Sequence, residues 1–422
     1  MPFEPSASSI DADRLWADLM ALAEITEPDR PWTRRSFTSR FAEGRTWLSN
    51  LFTQSGLAVR TDTGGNLIGR LEGRRLLPPI VLGSHSDTVP SGGRFDGAAG
   101  LLAAVEVARA VVRSGHGLDH PLEIVDFLAE EPSEYGISCI GSRAMVGALS
   151  PDMLSRTNAA GERLSEALAR VGGSPSALEW TTPPPITAYL ELHIEQGRVL
   201  ESSRIELGIV SGIVGIARIE LIFLGSADHA GGTPMRLRRD AGVAAAEVVS
   251  WTAKQGALTA GRSRGHFVAT TGIIEIAPNA ANVIPGRARL VLDIRAEDAE
   301  EIDGFIRLLD RQSLEAAQEF GVERERFAII SKTEPTRCDP YLREILAHSA
   351  SKFGYSTTEL ASGAGHDAAF VARIGRSAML FIPCLEGKSH SPDEWSDPHA
   401  LAMGTATLYD AVRSLDNADS AN

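Results

Sequence analysis

The stretch Pro79-Ile80-Val81-Leu82-Gly83-Ser84-His85-Ser86-Asp87-Thr88, followed by Phe95-Asp96-Gly97 and an Ala/Val/Leu-rich run at 98–112, decides the fold. Its apolar start reads as a buried strand and the run after Gly97 as a helix, so the segment is a strand–loop–helix unit. Alternate side chains of a strand share a face, which lets His85 and Asp87 enter one cleft. A histidine at a strand's C-terminal end, a carboxylate behind it and a second carboxylate in the next loop are the ingredients of a metal site. Taken alone, His85 is equally compatible with a structural histidine in a turn, and its partners have to decide.

Outward from this unit the same rhythm continues. Helical patterns at 11–22 and 41–56 precede a strand pair at 57–61 and 67–71 around Gly64-Gly65. After the unit come a strand at 122–130 and, beyond a polar stretch at 151–187 that ends in Pro183-Pro184-Pro185 and reads as a surface excursion, a strand at 188–194. Such alternation predicts an α/β fold, a sheet covered by helices with its site at the strands' C-terminal ends. Near Gly208–Gly215 the pattern changes to β-α-β-β-α, with strands at 216–224, 266–276 and 288–295 and helices at 240–254 and 300–320. The first rhythm resumes near Lys332 with a helix at 341–353, a strand at 378–382 and a helix at 398–415. The predicted organisation is a mixed-sheet catalytic domain, residues 1–212 and 331–422, interrupted by an inserted α+β domain at 213–330. Residues 416–422 read as a frayed tail.

Composition narrows the function classes. With 422 residues, 43% of them hydrophobic and 23% charged, the chain can bury a large core and reads as a soluble globular protein. A net charge of −14 argues against nucleic acid or an anionic membrane surface as the main partner. Cys139, Cys338 and Cys384 are few, odd in number and scattered, which fits a reducing compartment and provides no cysteine zinc motif. The first ten residues lack the basic start and apolar core of a signal peptide, and no uncharged apolar run reaches the roughly 18 residues of a membrane span, so a cytoplasmic location is expected.

Further residues join the opening motif. Glu130-Glu131 follows an apolar strand that should end beside the His85 strand. His193 lies in Glu191-Leu192-His193-Ile194-Glu195-Gln196-Gly197, where alternation puts Glu191, His193 and Glu195 on one face. His390 lies in Ser389-His390-Ser391-Pro392-Asp393-Glu394, again after a strand and a loop. Together, three histidines, Asp96 and Glu131 make a plausible pair of sites. A shared Asp96 would hold two divalent ions roughly 3.5–4 Å apart, as in two-metal hydrolases. Imidazole and carboxylate donors suit Zn, Mn, Co or Ni. Water in the open positions would have its pKa lowered, and Glu130, adjoining a ligand, is the natural general base.

In this order, Gly83-Ser84-His85-Ser86-Asp87-Thr88-Val89, Phe95-Asp96-Gly97, Glu130-Glu131, His193-Ile194-Glu195-Gln196-Gly197 and Ser389-His390-Ser391-Pro392 resemble the M20 metallopeptidase family in its hydantoinase/carbamoylase (amidase) subfamily, over about residues 12–415. His193 points to the amidase branch, because peptidase branches usually place a carboxylate there. The resemblance implies that His85, Asp96 and His193 bind one metal and Asp96, Glu131 and His390 the other, with Asp87 orienting His85. It also implies a homodimer in which the inserted domain acts as lid and dimerisation domain. His229, in Asp228-His229-Ala230-Gly231-Gly232-Thr233-Pro234, would reach the opposite subunit's site and stabilise an oxyanion. Asn282, Arg295 and more weakly Asn279 match the family's clamp on a substrate carboxylate, and Gln196 and His366 match further substrate contacts. The implied reaction is hydrolysis of the carbamoyl C–N bond of an N-carbamoyl-L-amino acid. Allantoate, ureidoglycolate, N-carbamoyl-β-alanine, a dipeptide or an N-acyl amino acid are alternative substrates, and a non-catalytic binding protein is the remaining alternative. One departure concerns the substrate: Pro132-Ser133-Glu134-Tyr135 stands where the family often has Gly-Ser-Arg-Phe, exchanging an Arg for Glu134.

Overall fold

All six residues of Ile80–His85 are buried, as in a central parallel strand covered on both faces, where apolar residues need not alternate. The computed structural model describes residues 9–180 and 185–420. Its strands are β1 (Ala58–Thr61), β2 (Leu67–Leu71), β3 (Ile80–His85), β4 (Leu122–Phe127), β5 (Ala188–Ile194), β6 (Leu207–Ile213), β7 (Gly215–Leu224), β8 (Phe267–Ala277), β9 (Arg287–Ala296), β10 (Glu323–Thr333), β11 (Thr336–Arg337), β12 (Thr357–Ser362) and β13 (Arg376–Ile382). The chain forms two units. The first comprises the residues through Ser211, Cys338–Leu360 and His366 onward; the second comprises Gly212–Arg337 and Ala361–Gly365.

In the first unit the strand order is β1-β2-β4-β3-β5-β13-β6, with β12 also on β6. β4, β3, β5 and β13 run parallel, so their C-terminal ends lie on one edge, while β1, β2 and β6 join antiparallel. Loops leaving that edge carry the candidate site, the usual place for chemistry in an open α/β sheet. Helix Ala98–Ser114 is buried along most of its length, which accounts for its small and apolar sequence.

The second unit is an antiparallel sheet, β10-β7-β9-β8, covered by helices Ala241–Ala260 and Ala299–Glu319. Alternate residues Ala217, Ile219, Leu221 and Phe223 of β7 point inward onto Val248, Phe305 and Leu309. The fold is thus mixed α/β with a second, α+β unit.

Several elements differ from the sequence reading. β10 was not legible, because the charged opening Glu323-Arg324-Glu325-Arg326 gives way to an unbroken Phe327-Ala328-Ile329-Ile330 run, with no alternation to mark a one-sided strand; with β10 running to Thr333, the second unit extends past residue 330 to Arg337. Residues 151–187 are more than a surface excursion. Leu164, Ala167 and Leu168, at helical spacing in Leu164–Arg170, pack with Leu178, Phe41, Leu128, Tyr135 and Ile140 in a buried cluster. Pro183 and Pro184 lie outside the described residues. The tail is not frayed at Asp416: helix Pro398–Ser420 passes through it, and its buried carboxylate accepts from the N–H groups of Asp119 (2.8 Å) and His120 (2.9 Å). Among the described residues no helix is long and apolar enough to cross a membrane.

Candidate metal centre

Five chain segments meet at the C-terminal edge of the parallel strands. His85 ends β3, Asp96 sits just before helix Ala98–Ser114, His193 lies in β5, and Glu130-Glu131 follows β4. β4 stops at Phe127, and Ala129 adopts a φ of +53°, turning the two glutamates off the strand. His390, also at positive φ (+54°), reaches the same place from the loop after β13.

Asp96 is the shared element. Its Oδ1 lies 3.6 Å from His85 Nε2 and 3.2 Å from His193 Nε2, while its Oδ2 lies 3.1 Å from His390 Nε2. His390 Nε2 is also 3.3 Å from Glu131 Oε1. His85, Asp96 and His193 thus form one donor set and Asp96, Glu131 and His390 another, the donor atoms of each within 4.8 Å of one another. Two donors at about 2.0–2.2 Å from one tetrahedral ion stand about 3.3–3.6 Å apart, so these separations suit a small divalent cation.

Hydrogen bonding prepares the same nitrogens. His85 Nδ1 lies 3.0 Å from the Asp87 carbonyl oxygen and His193 Nδ1 lies 2.9 Å from that of Ile194. A carbonyl only accepts, so each Nδ1 donates its proton and each Nε2 keeps a lone pair, that of His193 accepting from the Gly97 N–H at 3.2 Å, the tautomer found in metal-ligating histidines. Electrostatics agree. Burial works against charge on His85, but Glu130, Asp96 and Asp87 push its pKa well above the usual value. His390 is pushed up to about 10 by Asp96 and Glu131. Burial likewise works against charge on Asp96, yet His193, His390 and His85 hold it well below the usual carboxylate range. Acidic groups that draw positive charge onto these imidazoles would favour a cation at the same place. The residues present therefore fit divalent metal ions.

Glu130 is buried beside the first set, its Oε2 3.7 Å from His85 Nε2 and its Oε1 3.7 Å from the Cys139 thiol. Burial pushes its carboxyl well above the ordinary range. Asp87 accepts from the backbone N–H groups of Glu130 (3.2 Å) and Glu131 (3.3 Å), which ties the His85 strand to the glutamate turn. Gln196, expected as a substrate contact, donates from Nε2 to Asp96 Oδ2 at 2.8 Å. His366 is buried, its ring edge-on to His193 with centroids 4.6 Å apart. Burial, reinforced by His193, pushes its pKa well below the usual value.

The second unit holds the other expected residues. His229 is exposed, and its Nδ1 accepts from the N–H groups of Gly231 (3.1 Å) and Gly232 (3.0 Å), which leaves Nε2 as a donor. The Ala230 N–H donates to the Asn282 carbonyl at 2.9 Å, so His229 and Asn282 share one loop pair, while Asn279 is exposed nearby in sequence at a φ of +57°. Arg295 spends its fork internally: Nε donates to Asp293 Oδ1 at 2.6 Å, Nη2 to Oδ2 at 3.3 Å, and Nη1 to the Gly363 carbonyl at 2.7 Å. Glu134, the departure noted in the sequence, pairs with Arg35 at 3.2 Å on a half-exposed side chain.

Sequence reasoning missed Glu394 and Ser389. Glu394 Oε1 accepts from the N–H groups of Phe95 (2.7 Å) and Asp96 (3.1 Å), and the Ser389 hydroxyl lies between Glu394 Oε2 (2.8 Å) and Asp96 Oδ2 (2.9 Å). Both stand in the segment that carries His390, but only the long-range contact reveals their part.

Gly97 provides a test of this packing. Its φ is +64°, and a Cβ there would fall 2.4 Å from the His85 ring. Gly97→Ala is expected to cost about 1–3 kcal/mol in backbone strain alone and to displace His85, seen as a lower Tm and fewer ions bound per chain.

The sequence pattern of peptidase family M20/M25/M40 matches residues 81–414. An N-carbamoyl-L-amino acid amidohydrolase of Geobacillus stearothermophilus is 38% identical over 410 residues, covering 96% of this chain and 99% of that protein. A ureidoglycolate hydrolase of Arabidopsis thaliana is 33% identical and covers 96% of this chain and 86% of its own length. Among solved structures, an amidase of the hydantoinase/carbamoylase family from Burkholderia multivorans superposes with a TM-score of 0.89 at 33% identity, covering 96% of this chain and 98% of that one.

Proposed function

The chain belongs to peptidase family M20/M25/M40, and from that premise we propose that it is a metal-dependent amidohydrolase cleaving the carbamoyl C–N bond of an N-carbamoyl-L-amino acid. The observation that carries this reading is Asp96, whose two oxygens each face a separate imidazole-containing donor set while Glu130 stands 3.7 Å from the first of them. The relatives described above act, by their names, on ureido compounds, which supports that substrate class.

His85, Asp96 and His193 would hold one divalent ion and Asp96, Glu131 and His390 a second. When bound, such ions polarise a carbonyl oxygen and lower the pKa of water. Glu130 would take the proton of the attacking water on its carboxylate and pass it to the leaving nitrogen, with Asp87 fixing the turn that aims it. His229 Nε2–H would donate to the developing oxyanion from the opposite subunit of a homodimer. Asn282 and Arg295 would meet the substrate carboxylate; Arg295 would do so only after exchanging a hydrogen bond with Asp293 or Gly363 for one to the ligand. Gln196 and His366 would contact substrate beside the metals. One water is consumed per turnover, and the products are the free amino acid, ammonia and carbon dioxide.

The test is ammonia release by purified, Mn- or Zn-loaded protein from N-carbamoyl amino acids, N-carbamoyl-β-alanine, allantoate, ureidoglycolate and dipeptides. Release from the N-carbamoyl-L-amino acids, lost on chelation and restored by metal, is the expected result. Cleavage of a dipeptide with no ammonia from any ureido compound would overturn it.

A further inference from the structure

Glu394 belongs to neither donor set, yet its carboxylate is wholly buried among the groups that hold both in place. Its Oε1 accepts two successive backbone N–H groups, those of Phe95 and Asp96, while its Oε2 faces the Ser389 hydroxyl next to His390. One side chain therefore joins the loop that carries Asp96 to the loop that carries His390, across 298 residues of sequence. Ser389 has a single hydroxyl proton between Glu394 and Asp96, and Gln196 adds a donor to both Ser389 Oγ (3.2 Å) and Asp96 Oδ2. The surroundings make room for this carboxylate: a Cβ on Gly93 would lie 1.8 Å from Glu394 Oε1.

We propose that Glu394 is a positioning residue that clamps the shared carboxylate Asp96 and the His390 loop into one arrangement, so that both donor sets are formed before any ion arrives. This inference rests on the reading of those sets as divalent-cation sites. Without the clamp, the buried N–H groups of Phe95 and Asp96 lose their acceptor, and a loop that turns to satisfy them carries Asp96 with it. Because Asp96 serves both sets, the loss should fall on every ion bound and not on one alone.

The experiment is calorimetric titration of metal-stripped wild type, Glu394→Gln, Glu394→Ala and Gly93→Ala with Mn²⁺ and Zn²⁺, alongside circular dichroism of each. Affinity is expected to fall about 10–100-fold in Glu394→Ala, the range for removing a partner behind a ligand. Gly93→Ala, which pushes the carboxylate away without touching it chemically, should fall similarly. Glu394→Gln keeps an amide oxygen for the two N–H groups and an NH₂ for Ser389, and should retain most of the affinity. Folded Glu394→Ala or Gly93→Ala with wild-type affinity would overturn the inference, as would a Gln variant as impaired as the Ala variant. If Glu394→Ala does not fold, Gly93→Ala gives the deciding comparison. Wild type that binds no divalent cation would instead overturn the metal reading itself.

Discussion

Glu130→Gln is expected to lower kcat by about 10²–10⁴-fold, the usual contribution of a positioned acid–base group, while leaving metal content and fold unchanged. Gln has nearly the same shape, and the contacts at residue 130 that shape the turn are made by its backbone: its N–H donates to Asp87, and its carbonyl accepts from the Cys139 N–H at 2.9 Å. What the substitution removes is the ability to take a proton. Glu131→Gln is the informative contrast, because that carboxylate belongs, with Asp96 and His390, to the second donor set; its loss should appear in metal content as well as in rate. Paired measurements of kcat and bound metal on the two variants separate proton transfer from ligation. A Glu130→Gln enzyme with full activity and its metals in place would remove Glu130 from the role of base.

Asp96→Ala is expected to abolish activity and to weaken metal binding by more than the roughly 10–100-fold that follows loss of a group behind a ligand. The reason is the division of labour within one carboxylate, one oxygen toward His85 and His193 and the other toward His390. Removing it also leaves three imidazoles facing one another without the charge between them. The measurement is thermal: wild type at a free-metal concentration of about 100 Kd should gain about 2.7 kcal/mol for each site filled, and Asp96→Ala should gain almost nothing. A variant whose Tm still rises with metal as wild type does would show that the ions bind elsewhere.

The parts of this molecule that the sequence makes legible are those in which chemistry and pattern coincide. Apolar runs that end in His85, His193 and Glu130-Glu131 announce both a central strand and a donor at its end, because few other pressures put such residues there. The supporting groups are another matter. Glu394 is one acid in a polar loop until the fold brings it to the N–H groups of Phe95 and Asp96, nearly 300 residues away. Arg295 shows a nearer miss: Asp293 lies two residues away on the same strand face, so their pairing follows from alternation, yet the attraction of a free guanidinium fork for a ligand hides it. β10 escaped for a different reason, since on this edge strand four charged residues are followed by four consecutive apolar ones, Phe327 to Ile330, and neither run alternates.

The position of β13 governs how this protein comes into being on the ribosome. In the finished sheet β13 lies between β5 and β6, although the whole of the second unit's sheet separates it from both along the chain. Until Arg376–Ile382 emerges, the outer edge of β5 has no strand to pair with, and a nascent chain carries an open, apolar sheet edge while the inserted unit is already able to form. Nascent or truncated chains that stop before β13 are therefore the species most exposed to edge-to-edge association, and the emergence of Arg376–Ile382 is what closes the sheet around the loops that bear His193 and His390.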